Sequence, residues 1–336
     1  MLKHLLHSGG SSINGDPWVA TLGGSGYDYG YSVAVASDGS VYVCGVTQLA
    51  DTGNNHLLLA KYSSSGTVQW YKTLGGSNSD YGQRSVAVAS DGSVYVCGST
   101  RSDGAGMFDL HLAKFSSSGT VQWQKTLGGG KGDYGQSVAI APDGSVYICG
   151  FTYSAGAGDY DFFLAKFSSS GTVQWQKKID ANYSGSGRSV AVAPDGSVYV
   201  CGKTYVSGAG RRDDLLLAKF SSSGTVQWQK ILYGSRDDDG YSVAVAPDGS
   251  IYVCGNTASA GAGVNDFLLV KITDSIIEKD TVTLGIFTFQ DTHIPMNNAS
   301  FTLTSPSFSF SNANLSLRNS SLTVGTPSLT TNLYTL

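Results

Sequence analysis

Three observations predict an all-β fold of repeated four-stranded sheets. Tryptophans stand at 18, 70, 123, 175 and 228, so they recur every 52 or 53 residues. Around them the chain repeats one phrase: SVAVAPDGSVYVCG, a variable stretch, then DLLLAKFSSSGTVQWQKTLGG. Inside the phrase, apolar residues alternate or run in short blocks between Asp-Gly and Ser-Gly turns, and no segment has helical period. A period near 50 residues with four short strands is that of one propeller blade.

The elements follow in order. Strand a is SVAVA, first at Ser32–Ala36. It alternates Val with Ala or Ser, large on one face and small on the other, which lets successive sheets nest. Asp38-Gly39 then supplies a hairpin turn that accepts positive φ. Strand b is VYVCG, strand c is LLLAKF, and SSSG leads into strand d, TVQWQK.

Strands a to c occur five times, the last ending near Ile272, but TVQWQK occurs four times. The missing strand d is expected at the other end. PWVATLGG (17–24) aligns with WQKTLGG, so the N-terminal strand would complete the last blade and close a five-bladed ring. Pro17 suits an outer edge, where no neighbour needs its missing N–H. DTVTLGIF, from Asp280, is the competing strand d. The expected layout is an N-terminal arm (1–16), a propeller (17–274) and a C-terminal β-repeat segment (275–336).

The unit GGSGYDYGYSVAVASDGSVYVCGVT…LLLAKYSSSGTVQWYKTLGG resembles the SBBP type of β-propeller repeat over residues 17–273. That resemblance implies a scaffold found in extracellular and surface proteins and brings no shared catalytic residues. The type is named for seven blades, whereas this chain's own copies number five.

Composition narrows the partners. Of 336 residues, 41% are hydrophobic and 44 are Gly, a turn-rich balance that still provides a core. A net charge of -4 removes the electrostatic basis for nucleic-acid binding. No stretch is long enough to span a membrane. In MLKHLLHSGG, histidines interrupt the leucines, so the start does not read as a secretory signal.

The variable segments locate a candidate binding face. The a–b and c–d turns repeat almost unchanged, while the b–c loops differ between copies. A ring of unlike loops carries more information for a partner than a ring of identical ones. The candidates are Arg101, Met107, Phe108, Tyr153, Tyr160, Arg211 and Arg212, with Arg236 and Asp237 from a d–a loop.

Cys44, Cys97, Cys149, Cys201 and Cys254 occupy one position in every copy. They are odd in number and lack metal-ligand spacing, so they read as reduced, buried small residues. Asp28, Asp80 and Asp133 recur in DYG and read as loop stabilisers. His4, His7, His56, His111 and His293 are scattered and suggest no catalytic arrangement. No metal or cofactor is expected.

The C-terminal segment has a different period. Apolar pairs two apart recur every seven residues: Phe287/Phe289, Ile294/Met296, Phe301/Leu303, Phe308/Phe310, Leu315/Leu317 and Leu322/Val324, then Leu329. Two apart is one face of a strand, so each heptad reads as a short strand and a turn. Two apolar side chains per rung do not offset the cost of ordering seven residues. The rungs are therefore expected to need a partner: copies of the chain in a trimer, or another virion protein, held through residues 287–334. A thin β-rod beside a repetitive β-domain is similar in pattern to tailed-phage fibre and other virion proteins. The resulting expectation is a non-enzymatic virion protein, a tail fibre or appendage that binds a host-surface glycan or protein. The alternatives are a capsid decoration or connector protein, or a lectin-like propeller on a bacterial surface.

Overall fold

In a computed structural model the chain is a stack of antiparallel sheets. The structure describes residues 20–23, 26–49, 52–102, 107–154, 160–179, 184–205, 213–260, 264–273, 281–284, 287–291, 296–298, 302–304, 309–311 and 316–319. Among them there is no helix.

After β1 (Ala20–Gly23), the first sheet is β2 (Asp28–Val35), β3 (Val41–Gln48), β4 (Asn55–Tyr62) and β5 (Val68–Gly75). The second is β6 (Tyr81–Val88), β7 (Val94–Thr100), β8 (Asp109–Phe115) and β9 (Val121–Gly128). The third is β10 (Asp133–Ile140), β11 (Val146–Thr152), β12 (Asp161–Phe167) and β13 (Val173–Ile179). The fourth is β14 (Gly185–Val192), β15 (Val198–Tyr205), β16 (Asp213–Phe220) and β17 (Val226–Tyr233). The fifth is β18 (Asp238–Val245), β19 (Ile251–Thr257) and β20 (Asp266–Ile272). Neighbours in each sheet are hydrogen-bonded in sequence order, as the repeat predicts.

The repeated phrase explains the local geometry. In the Asp-Gly turns, Gly39 has φ of 79° and the Asp38 carboxylate accepts the Ser40 N–H at 2.8 Å. Strand a carries a bulge, which shifts its register between Gly30 and Ser32 in the first sheet. The bulge presses a carbonyl against the invariant Gly of VCG. A Cβ on Gly150 would lie 1.8 Å from the Tyr134 oxygen, and Gly45, Gly202 and Gly255 are equally tight. Side chains do not fit there, which accounts for the Gly at this position of strand b.

Strands a of successive sheets pack side by side at the inner edge, and four apolar clusters fill the four spaces between consecutive sheets. In the first space Leu57 and Leu59 meet Val86, Val94, Val96 and Phe115. Cys44, Cys97, Cys149 and Cys201 lie buried in these spaces, and no disulfide joins any of the five cysteines. Burial pushes the Cys44 thiol up to about 12, so it is held protonated. On the face of the constant turns three Trp residues tie their sheets to the next: the Trp70, Trp123 and Trp175 Nε1–H groups donate to the Ser117, Ser169 and Ser222 carbonyls at 3.0–3.1 Å.

The two ends differ from expectation. β1 does not pair with β20; it pairs with β26 (Ser316–Asn319), and the fifth sheet has three strands. The competing strand, β21 (Thr281–Leu284), pairs with β22 (Phe287–Asp291) in the fourth sheet. No cluster among the described residues joins the last sheet to the first. Phe267 and Leu269 on the last are 78% and 61% exposed, and Val33 on the first is 62% exposed.

The C-terminal strands pair with sheets of the same chain. β22 pairs with β17, β23 (Met296–Asn298) with β13, β24 (Thr302–Thr304) with β9, and β25 (Ser309–Ser311) with β5. The segment thus runs backwards over the outer edges of the sheets, one sheet per seven residues. Phe289, Met296, Leu303, Phe310 and Leu317 stand opposite Leu232, Ile179, Leu127, Leu74 and Leu22, the same position of the repeat each time. The heptad is the step from one sheet to the next. Phe287, Phe289, Leu303, Phe310 and Leu317 thus have backbone partners within the chain. Phe301, Phe308, Leu315, Leu322, Val324 and Leu329 lie outside the described residues.

Candidate functional site: the axial mouth

Each strand a starts at the face that carries the b–c and d–a loops, so the inner ends of the sheets converge there. Between them lies a cavity of about 660 Å³, lined from four sheets by Tyr29, Tyr31, Val46, Asn55, Ser99, Arg101, Phe108, Tyr134, Gln136, Phe151 and Arg188. That volume is in the range of small-molecule sites.

The walls are aromatic. Tyr27, Tyr29 and Tyr31 form a ladder with centroids 6.4 and 6.2 Å apart and planes within 14°. Opposite, Tyr134 stacks on Phe151 at 4.7 Å and meets Phe108 at 5.3 Å. Tyr153 and Tyr160 extend this second group through Phe151, at 6.1 and 6.0 Å. Burial raises the Tyr134 hydroxyl above its ordinary value, so it stays protonated and can donate.

Cations stand between the walls. The Arg101 guanidinium lies 5.3 Å from the Phe108 centroid, and that of Arg188 lies 5.8 Å from Tyr241. Arg188 Nε is buried without a hydrogen-bond acceptor. Nearby, Lys203 is bonded to Asp213. Burial raises Asp239 above the usual carboxylate range, against the lowering pull of Lys203 and Arg188.

Of the residues expected on the variable face, Arg101 and Phe108 line the mouth, and Tyr153 and Tyr160 flank it. Met107 is exposed beside Phe108. Arg236 and Asp237 serve the loop: the Arg236 N–H donates to Ser259 Oγ at 2.8 Å, and Asp237 Oδ1 accepts the Asp213 N–H at 3.1 Å. Arg211 and Arg212 lie outside the described residues. The DYG aspartates hold loops together. Asp133, for instance, accepts the Gly129 N–H at 2.8 Å and the Ser154 hydroxyl at 2.7 Å, and also bonds the Thr152 hydroxyl.

Sequence reasoning missed Tyr31, Gln136, Arg188 and Tyr241, yet a signal was present. They fill the one position before the Ser of SVAVA, where the second copy has Arg84. This position varies in kind within an otherwise constant phrase, on the innermost strand. Among the described residues no group of three metal-ligating side chains occurs.

The profile of a family described as a domain of unknown function (DUF5122) beta-propeller matches residues 141–173 and 246–273. The chain is similar to the "Regulatory protein FlaEY" of Caulobacter vibrioides, with 25% identity over 280 residues, 70% of this chain and 29% of that protein. It therefore spans under a third of that relative's length. Among solved structures, virginiamycin B lyase from Staphylococcus aureus is 9% identical over 82% of this chain and 94% of that one, with a TM-score of 0.41. The tail fiber of Staphylococcus aureus phage P68 is 11% identical over 76% and 52%, with a TM-score of 0.31.

The chain is thus an all-β protein of propeller-type sheets. One expectation is corrected: a lyase stands among the structures of similar fold, so this fold gives no ground for excluding catalysis, and the non-enzyme expectation is withdrawn. At such identity the likeness brings neither residues nor an activity to this chain.

Proposed function

We propose that the chain closes into a five-bladed ring whose axial mouth binds a glycan. Strand arithmetic supports the ring. The first sheet with its added strand has the order β2-β3-β4-β5-β25, and β18-β19-β20 followed by β1-β26 would repeat that order. Extending the register Leu57↔Leu74 and Leu58↔Thr73 to the last blade sets Phe267 opposite Leu22 and Leu268 opposite Thr21. The exposed end faces also match. Phe267 and Leu269 hold the positions of Leu57 and Leu59, and Val33 holds that of Val86, pairs that pack together in the first space. A cavity of about 230 Å³ beside β1, lined by Leu22, Val43, Ala60 and Tyr62 among others, lies where the last sheet would enter.

The observation that carries the binding reading is the mouth itself: flat aromatic walls from separate sheets, with Asn55, Ser99 and Gln136 between them. Aromatic faces take the C–H side of a sugar ring, and amides and hydroxyls take its hydroxyl groups. The virion setting was inferred from the C-terminal pattern. With the heptad accounted for within one chain, the binding module is the stronger part of that reading, on a virion or on a bacterial surface. The test is a glycan microarray probed with the whole chain and with Tyr31→Ala and Gln136→Ala. Binding that both substitutions weaken at least tenfold is expected. Absence of binding to any glycan, or binding indifferent to both changes, would refute it.

A further inference from the structure

The charge of the mouth narrows the ligand class. Arg101 and Arg188 both line it, and no carboxylate stands among its lining residues. Among the described residues neither guanidinium has an ion-pair partner, whereas neighbouring Lys203 is occupied by Asp213. Arg188 is held in place by packing, its guanidinium 5.8 Å from the centroid of the Tyr241 ring. Asp239 attracts Arg188 through space but no hydrogen bond joins the two; the Tyr241 hydroxyl donates to Asp239 at 3.4 Å. A planar fork of donors matches a carboxylate better than a neutral hydroxyl.

Resting on the glycan reading above, we infer that the ligand is an acidic saccharide, a sugar ring bearing a carboxylate. Arg188 takes the carboxylate, Arg101 adds charge at the rim, and the Tyr29–Tyr31 ladder takes the ring. A bare anion would leave the aromatic walls unused, and a neutral sugar would leave both guanidiniums without a hydrogen-bonded anion. The sequence adds one detail: Arg84 stands at the same repeat position as Arg188 in the second copy.

The test uses the full chain on an array of acidic glycans, uronic and sialic, each printed beside its carboxyl-reduced counterpart. The acidic member of at least one pair should bind ten times more tightly or better. Arg188→Gln should bring it down to the level of the reduced member without moving the thermal midpoint. Equal binding of both members overturns the acidic assignment and leaves the glycan reading standing. No binding to either member of any pair overturns both.

Discussion

The repeat gives the proposed ring an internal control. Leu59, Leu112, Leu164 and Leu217 hold one position in the first four sheets and are each 0% exposed against the next sheet. Leu269 holds that position in the fifth and is 61% exposed. Truncating a fully packed Leu to Ala costs about 2–5 kcal/mol. If the ring is shut, Leu269 is packed as its equivalents are, and Leu269→Ala should cost about 3 kcal/mol, as Leu217→Ala does. With the end face left in water it should cost well under about 1 kcal/mol, because little apolar area is lost. Urea unfolding of both variants separates the cases, since a loss of about 3 kcal/mol moves the midpoint by roughly 1 M or more. A Leu269→Ala midpoint matching the parent chain, beside a clear loss in Leu217→Ala, would refute the closure.

Other outcomes follow from the same geometry. Gly150→Ala drives a Cβ to 1.8 Å from the Tyr134 oxygen and should cost about 3 kcal/mol or more, while Gly130→Ala, with nothing within 4 Å, should stay within about 0.5 kcal/mol; equal thermal midpoints would contradict this. Trp123→Phe removes an exposed bond to Ser169 and should cost about 0.5–1.5 kcal/mol by urea unfolding, and a larger loss would mean that the ring packs more than the structure shows. The Ser N–H bonds hold Asp38, Asp91, Asp195 and Asp248 below the usual 3.8. Their contribution is therefore present above that value and lost as pH falls below it. Burial raises Asp133 and Asp239, which act in the opposite sense but are fewer. The thermal midpoint should drop between pH 4 and pH 2, on the order of two units around the ordinary carboxylate value, and a rise would contradict the turn argument.

Much of the fold was legible because the chain states it repeatedly. The Trp spacing, the Asp-Gly turns and the alternation in SVAVA each describe a local need, and the structure meets it with the same turn, bulge and sheet contact in successive copies. The C-terminal segment was legible only as strand rungs. Its seven-residue period equals the step between adjacent outer strands, such as Leu74 and Leu127, and that distance exists only once sheets are stacked. The candidate site divides the same way. Arg101 and Phe108 were found because loop variation is visible in a line of text. Gln136 and Arg188 were hidden because a single varying position inside a constant strand shows its meaning only where the inner strands of several sheets converge. The pairing of β1 with β26 was hidden because alignment with WQKTLGG identifies which strand β1 resembles, not which strand adds to its edge.

The closed ring with its mouth is tested most directly by Thr21→Cys with Leu268→Cys, oxidised under mild conditions and mapped by peptide mass spectrometry. The proposed register predicts a 21–268 disulfide within one chain, in monomeric protein. The same disulfide found only between chains would mean that a second copy occupies the seam, and its absence from folded protein would contradict the ring.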